Sequence, residues 1–186
     1  MERIKAYFKK KYNLSGYQIA QIIFLFKTLG SELSKIVIMG LLFFNHISHY
    51  FFALFIMLFL RCTTGGLHFY TYLGCLLTSI FYLGMAIYVL PHFILPQYIQ
   101  LLLLLLCILL CNYIGPITSK YRPKECESRF NKFKKIITMF IFIYALILYI
   151  IPENTYISVG FWVIILHSLQ LLLAKIRKKG EYTKHG

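Results

Sequence analysis

Tyr98-Ile-Gln-Leu-Leu-Leu-Leu-Leu-Leu-Cys-Ile-Leu-Leu-Cys-Asn-Tyr-Ile-Gly115 carries no charged side chain and is bounded by Pro96 and Pro116. A bilayer core of about 30 Å is crossed by about 20 helical residues, with roughly 17–25 tolerated, so this stretch has spanning length. On either side of it, Tyr72 to Leu90 is uncharged and stops at Pro91, Ile136 to Ile151 stops at Pro152, and Tyr156 to Ala174 runs into a basic tail. A proline or a charge cluster closes each segment, as a helix stop requires. Of the 186 residues 59% are hydrophobic, and mean hydropathy is +0.70. A soluble globule, for which roughly 45–50% is usual, is excluded.

Lys and Arg total 20 against 6 acids, a net charge of +14, and every acid is Glu. Sites built on clustered carboxylates are therefore poorly supplied. The cations lie between apolar stretches and form no stripe along a soluble face, so the sequence predicts anionic membrane lipid, and no nucleic acid, as the charged partner. Five cysteines, at 62, 75, 107, 111 and 126, are an odd number and argue against a disulfide framework. The polar run from Lys11 to Gly16 stands where a signal peptide would have its apolar core, so no cleaved signal peptide is expected.

Residues 36–60 lack formal charge but carry Asn45-His46-Ile47-Ser48-His49 in their middle, and read as one span or a hairpin. Basic residues number seven in 1–35, one in 61–71, seven in 116–135 and five from 175 onward, with none in 91–97 or 152–155. A single crossing would divide them 13 against 7, whereas a hairpin places all 20 on one side. The positive-inside rule selects the hairpin. The expected fold is therefore an all-α polytopic membrane protein with six hydrophobic segments in one domain, 1–186, and both termini in the cytoplasm. Its parts are a basic amphipathic region at 1–35, a membrane hairpin at 36–60, a catalytic loop at 61–71, four membrane helices over 72–174 with a basic loop at 116–135, and a basic tail at 175–186. The hairpin arms, of about 12–15 residues, are short for full spans and invite tilt or a re-entrant wedge. Ahead of them Ile19, Ile22, Ile23, Phe26 and Leu29 share one helical face, which predicts an amphipathic helix in the cytoplasmic interface. An ordinary packed helix shows the same period.

The chemically informative stretch is Arg61-Cys-Thr-Thr-Gly-Gly-Leu-His-Phe-Tyr-Thr-Tyr-Leu-Gly-Cys75, at the mouth of the Tyr72 to Leu90 segment. A thiol attacks as its thiolate, a minor species at neutral pH, and a neighbouring imidazole can take the proton and pair with the anion. His68 and Cys75 supply those two groups. Seven residues apart on one helix they would share a face but stand about 10.5 Å apart along the axis, beyond hydrogen-bond reach. A reacting pair within one chain thus requires the helix to begin after His68, with Gly65-Gly66 letting the loop fold back. A contact across a homodimer interface is the other way to close the gap. A His and a Cys near a membrane helix are more often structural, so generic spacing by itself favours no catalysis.

The wider pattern Arg-x3-Gly-Gly-x-His-x6-Cys, in a basic membrane protein of this length, resembles the accessory gene regulator protein B family, membrane cysteine endopeptidases of bacterial quorum sensing. Gly115-Pro-Ile-Thr-Ser-Lys-Tyr-Arg-Pro123 is similar to that family's Pro-rich basic cytoplasmic loop. The resemblance implies that His68 and Cys75 are the catalytic pair, that Arg61, Gly65 and Gly66 support the site, and that Lys120 and Arg122 dock an acidic segment of a small propeptide. It also implies removal of the propeptide's C-terminal part and formation of a cyclic thiolactone, in a bacterial cell membrane and without cofactor or metal. In such a reaction Cys75 attacks the scissile carbonyl with His68 as base, and a substrate cysteine exchanges the resulting thioester for a ring. Backbone N–H groups near Gly74 and Cys75 are candidate oxyanion donors.

Other signals are weaker. Topology and lipid attraction suffice to explain the basic run from Lys120 to Lys135. His46 and His49 share a helical face without an adjacent carboxylate or cysteine to complete a metal site. Cys107 and Cys111 read as packed small hydrophobes, and His167 with Gln170 as a polar contact between membrane helices. Two classes of function stay open on residues alone: a membrane peptidase, or a small transporter or scaffold in which His68 and Cys75 are structural.

Overall fold

The structure, a computed structural model, describes residues 15–65, 71–115 and 127–183. Ser15 starts the first helix, α1 (Gly16–Leu42), with a capping box: its Oγ accepts from the Gln18 N–H at 3.2 Å while Gln18 Oε1 accepts from the Ser15 N–H at 2.9 Å. These reciprocal bonds satisfy donors that a helix start leaves orphaned. The helix then runs unbroken for 27 residues, with Lys35 Nζ 2.6 Å from Glu32 Oε1 on the preceding turn. The expected amphipathic helix and the first hairpin arm are therefore one element, because no glycine or proline stop separates Leu29 from Ile36 strongly enough; Gly30 alone costs only about 1 kcal/mol. The chain divides at Phe44 into two compact units, α1 belonging to the first and residues 45–186 to the second.

The break inside 36–60 falls at Phe43–His46, where the Phe43 N–H bonds Met39 O at 2.9 Å and a 3-10 turn covers Phe44–His46. The second arm is longer than its sequence segment: α2 (Ile47–Thr64) continues through Arg61 until Gly65, which takes φ 77° and returns its N–H to Arg61 O at 3.0 Å. Arg61 to Thr64 thus belong to a helix and not to the loop assigned at 61–71. Thr63 and Thr64 are tolerated there because their hydroxyls bond back to the carbonyl of Leu60, at 2.9 and 2.7 Å. A positive φ, open to glycine, ends the run.

The third helix, α3 (Tyr72–Gly84), passes through a π turn at Met85–Val89 and a 3-10 turn at Leu90–His92. Pro91 cannot donate to a helical ladder; the wider π turn precedes it and the tighter 3-10 turn contains it. Then follow α4 (Gln97–Ile114), ended by Gly115 at φ 70°, α5 (Glu127–Ile150) and α6 (Thr155–Thr183), which carries helical structure into the expected tail. Among the described residues five helical stretches are long and apolar enough to cross a bilayer: Phe44–Thr64, Tyr72–His92, Gln97–Ile114, Phe130–Ile150 and Thr155–Arg177. A stretch of 21 residues rises about 31 Å, the thickness of the hydrocarbon. Lys27, Glu32 and Lys35 make α1 more polar than these five. The protein is an all-helical, polytopic membrane protein.

Within residues 45–186, α6 is the central helix, with 61% of its span buried against 22% for α4 and α5. Phe161, Ile164 and Leu171 of α6 are wholly enclosed, together with Leu60 of α2, Leu83 of α3, Leu104 of α4 and Ile141 of α5. Leu102, Leu105 and Leu109 of α4 face outward, as lipid contact allows. Since lipid is as apolar as these side chains, close packing and polar contacts must hold the helices together. Asn112 Nδ2 donates to Thr138 Oγ1 at 2.8 Å between α4 and α5, and Tyr144 Oη donates to Ile157 O at 2.6 Å between α5 and α6.

The same contacts define two ends. At one, the His46 ring lies 5.0 Å from Tyr88, His49 Nε2 is 3.2 Å from Thr155 Oγ1, and Gln97 Nε2 donates to Tyr149 O at 2.9 Å. At the other, Gly115 meets the Phe130 ring, and Lys175 Nζ sits 4.1 Å from the Tyr113 ring centroid. Cys75, at the start of α3, belongs to this second end.

Candidate active site

The segment between α2 and α3 is anchored at both sides by local chemistry. On one side stands the positive-φ Gly65; on the other, Thr71 is the N-cap of α3, its Oγ1 accepting from the Gly74 N–H at 3.2 Å. Cys75 lies in the first turn, half-buried, with its own N–H bonded to Thr71 O at 3.2 Å. Aligned peptide dipoles favour negative charge at that end of a helix, the charge a reacting thiol must carry. The helix begins at Tyr72, after His68, as an intrachain pair demands.

Both backbone donors considered for an oxyanion are spent: Gly74 N–H on the Thr71 hydroxyl and Cys75 N–H on the Thr71 carbonyl. The N-cap residue takes them for the helix before a substrate can. His68 and Gly66 of the loop, and Lys120 and Arg122 of the basic connection, lie outside the described residues. Gly65 and Arg61 are placed by the last turn of α2, Gly65 as its stop and Arg61 one turn earlier with its charge facing Tyr82 of α3 and His167 of α6.

Behind Arg61 the structure gathers polar side chains from two helices, α2 and α6. Thr64 Oγ1 and His167 Nε2 are 2.7 Å apart, both residues being buried. Gln170, one turn on along α6, is 2% exposed. The sequence places His167 and Gln170 three apart in an otherwise apolar span, which marks them as costly there, but the partner of His167 on α2, Thr64, is visible only in three dimensions.

The rings of His46 and His49 are 5.8 Å apart, edge to face, and His49 stacks on Tyr156 at 4.3 Å. Among the described residues no group of three or more His, Cys, Asp or Glu could hold a metal ion. Cys107 and Cys111 are buried thiols on α4, Cys111 Sγ lying 3.7 Å from Ser168 Oγ, and Cys62 is an exposed one.

No curated protein and no solved structure matches the chain. The family model described as accessory gene regulator B matches residues 1–171, which takes in α1, the five spanning helices to Leu171 and the whole Arg61 to Cys75 motif. With an all-helical membrane architecture and that motif at the end of a spanning helix, the chain belongs to the accessory gene regulator B family, membrane proteins associated with peptide processing in quorum sensing.

Proposed function

We propose that this protein is a cysteine endopeptidase that cuts a small propeptide at the membrane surface and hands its acyl group on to a thiolactone ring. The observation that carries the reading is the position of Cys75, half-buried in the first turn of α3 just after its Thr71 cap and seven residues after His68 in the sequence. Cys75 Sγ forms a bond to the scissile carbonyl carbon while its proton passes to His68. The C–N bond then breaks, and His68 returns that proton to the departing amine. A cysteine thiol of the substrate next attacks the thioester, its proton travelling through His68 to the released Cys75 sulfur. The ring closes without ATP because the acyl bond stays activated throughout. Water at the same step would give a linear product, so a site partly sheltered in the interface favours cyclisation. Lys120 and Arg122 dock the acidic part of the propeptide, with anionic lipid as their competing partner.

The test uses purified protein in anionic vesicles with synthetic candidate propeptides. Hydroxylamine should intercept an acyl group on Cys75, and a substrate with its ring-forming cysteine changed to Ala should acylate the enzyme yet give no thiolactone. Added C-terminal fragment should drive the acylation backward. Cleavage at the normal rate with no hydroxylamine-sensitive adduct by intact-protein mass spectrometry would make direct hydrolysis the mechanism instead.

Both termini are placed in the cytoplasm of a bacterial cell. The 18 basic residues outside α1 then share one side, provided that α1, 27 residues and about 40 Å long, carries the chain through the membrane. In a cysteine-depleted background, single cysteines at 62 and at Lys132 should label from the cytoplasm, and those at Ser48, His92 and Asn154 from outside. These positions are exposed, unlike Thr64, which is 2% exposed. Labelling of 62 and 132 from opposite sides would overturn this topology.

A further inference from the structure

His167 Nδ1 and Gln170 Nε2 are buried atoms with no hydrogen-bond partner among the described residues, and both residues stand in the wall of one cavity. Apart from Tyr82 the rest of that wall is apolar. The cavity measures about 10 Å³, room for about one water-sized group. Buried polar groups in native proteins are nearly always paired, so two orphans on one cavity point to an occupant.

The two orphans differ in kind. The Thr64 hydroxyl has one proton, and Leu60 O lies 2.7 Å from it. Were that proton turned to His167, Oγ1 and Leu60 O would face each other with no proton between them. Thr64 therefore donates to Leu60 O and accepts from His167 Nε2–H, 2.7 Å away. The neutral ring then presents Nδ1 as a bare lone pair, an acceptor, whereas Gln170 Nε2 is a donor. A cation in the cavity would meet the Gln170 N–H, an anion would meet the Nδ1 lone pair, and an apolar group would leave both unmet. Water fits the space, accepts from one and donates to the other.

We propose that one ordered water bridges Gln170 and His167 and makes His167 a positioning residue, whose Nε2–H fastens the last turn of α2 to the central helix α6. The hydrogen bonds form a chain in which every donor points the same way. Gln170 Nε2–H gives to the water, the water to His167 Nδ1, His167 Nε2–H to Thr64 Oγ1, and Thr64 to Leu60 O. Bonds aligned in this manner polarise and strengthen one another, the more so in a low-dielectric interior. The chain begins on α6 and ends on the backbone of α2. The turn it holds carries Arg61 and Gly65, the first residues of the Arg61 to Cys75 motif to be placed by the fold. The water is what selects the ring's tautomer: with a donor at Nδ1, the ring proton stays on Nε2, where Thr64 needs it.

The test is magic-angle-spinning NMR of the isotope-labelled full chain in lipid vesicles, with the His167 ring assigned through its links to Leu166 and Ser168. In wild type, Nε2 should carry the proton, Nδ1 should be bare, and magnetisation should pass from water protons to Nδ1. A proton on Nδ1, or no water contact there, overturns the proposal. The positioning role is read by exchange of backbone N–H groups. Gln170→Leu should abolish the water contact and speed exchange at residues 62–65 about tenfold, the loss of one hydrogen bond, while residues 112–115 at the end of α4 stay as in wild type. Thr64→Val should speed exchange at 62–65 by a similar factor. Because the links are in series, adding Gln170→Leu to Thr64→Val should bring less than about twofold more. Unchanged exchange at 62–65, an equal rise at 112–115, or effects that multiply in the double variant would each overturn the linkage. Should Gln170→Leu not insert, the wild-type spectra decide alone. No readout needs cleavage, so this inference and the peptidase reading stand or fall separately.

Discussion

Cys75→Ala will abolish propeptide cleavage, a fall of about 10⁴-fold or more in kcat, while the protein still inserts in the membrane and purifies as wild type does. In the proposed mechanism the sulfur is the only atom that forms the acyl bond, so nothing in the rest of the site would compensate for its removal. The fold should survive because the side chain is half-buried in the first turn of α3, where Thr71 Oγ1 caps the helix. Cys75→Ser should be nearly as poor, since a hydroxyl is far harder to ionise than a thiol. His68→Ala should also be nearly inactive. Cys62→Ala, Cys107→Ala and Cys126→Ala should retain activity. The measurement is mass-spectrometric detection of the released fragment from protein in vesicles, and normal cleavage by Cys75→Ala or His68→Ala would return the scaffold or transporter reading.

The largest loss of stability is expected from Gly160→Val on α6. A Cβ at this position would run into the Tyr144 hydroxyl of α5 and press against Ile56 Cδ1 of α2. Neither can give easily: the Tyr144 hydroxyl is held by Ile157 O at 2.6 Å, and Ile56 is 3% exposed. Two helices would have to move off the central one, breaking that hydrogen bond in a lipid phase that offers no replacement. Overpacking of this kind costs about 1–3 kcal/mol, and the orphaned Tyr144 hydroxyl adds about 1–3 kcal/mol. Gly160→Ala should show part of the same loss, whereas Gly30→Ala, with open space at its Cβ position, should be neutral or slightly stabilising. Thermal aggregation of the detergent-solubilised variants reads the order directly. A Gly160→Val protein as stable as wild type would mean that the α2–α5–α6 packing is looser than its contacts imply.

Much of the architecture can be read from local chemistry. Pro91, Pro96 and Pro116 bound spans because a proline cannot continue a hydrogen-bonded ladder, and the helix starts lie beside residues that cap, Ser15 and Thr71. The start of α3 between His68 and Cys75 follows from the Gly65-Gly66 pair and Thr71, and the structure has it at Tyr72. The end of α2 was less legible. Arg61 and two threonines look like the opening of a polar loop, yet the threonine hydroxyls fold back on Leu60 O and let the helix run on to Gly65. The union of the amphipathic stretch with the first arm was hidden for a similar reason: charged Lys27, Glu32 and Lys35 break the apolar pattern without breaking the backbone hydrogen bonds of a helix.

Which stretches enter the membrane, and the motif that carries Cys75, were determined by the sequence alone. Apolar transfer free energy, formal charge and proline's missing donor are properties of a residue and its near neighbours, and they add up along the chain. Which polar atoms meet was decided only by tertiary structure. Thr64 and His167 are 103 residues apart, and their 2.7 Å contact depends on the rotation and depth at which α2 and α6 pack. A turn of one helix by a single residue would change which side chain faces the other, about 100° per residue, while leaving hydropathy untouched. The same packing leaves His167 Nδ1 and Gln170 Nε2, in the wall of one small cavity, without hydrogen-bond partners among the described residues. An unmet hydrogen bond is a property of several helices at once, and no single stretch of sequence contains it.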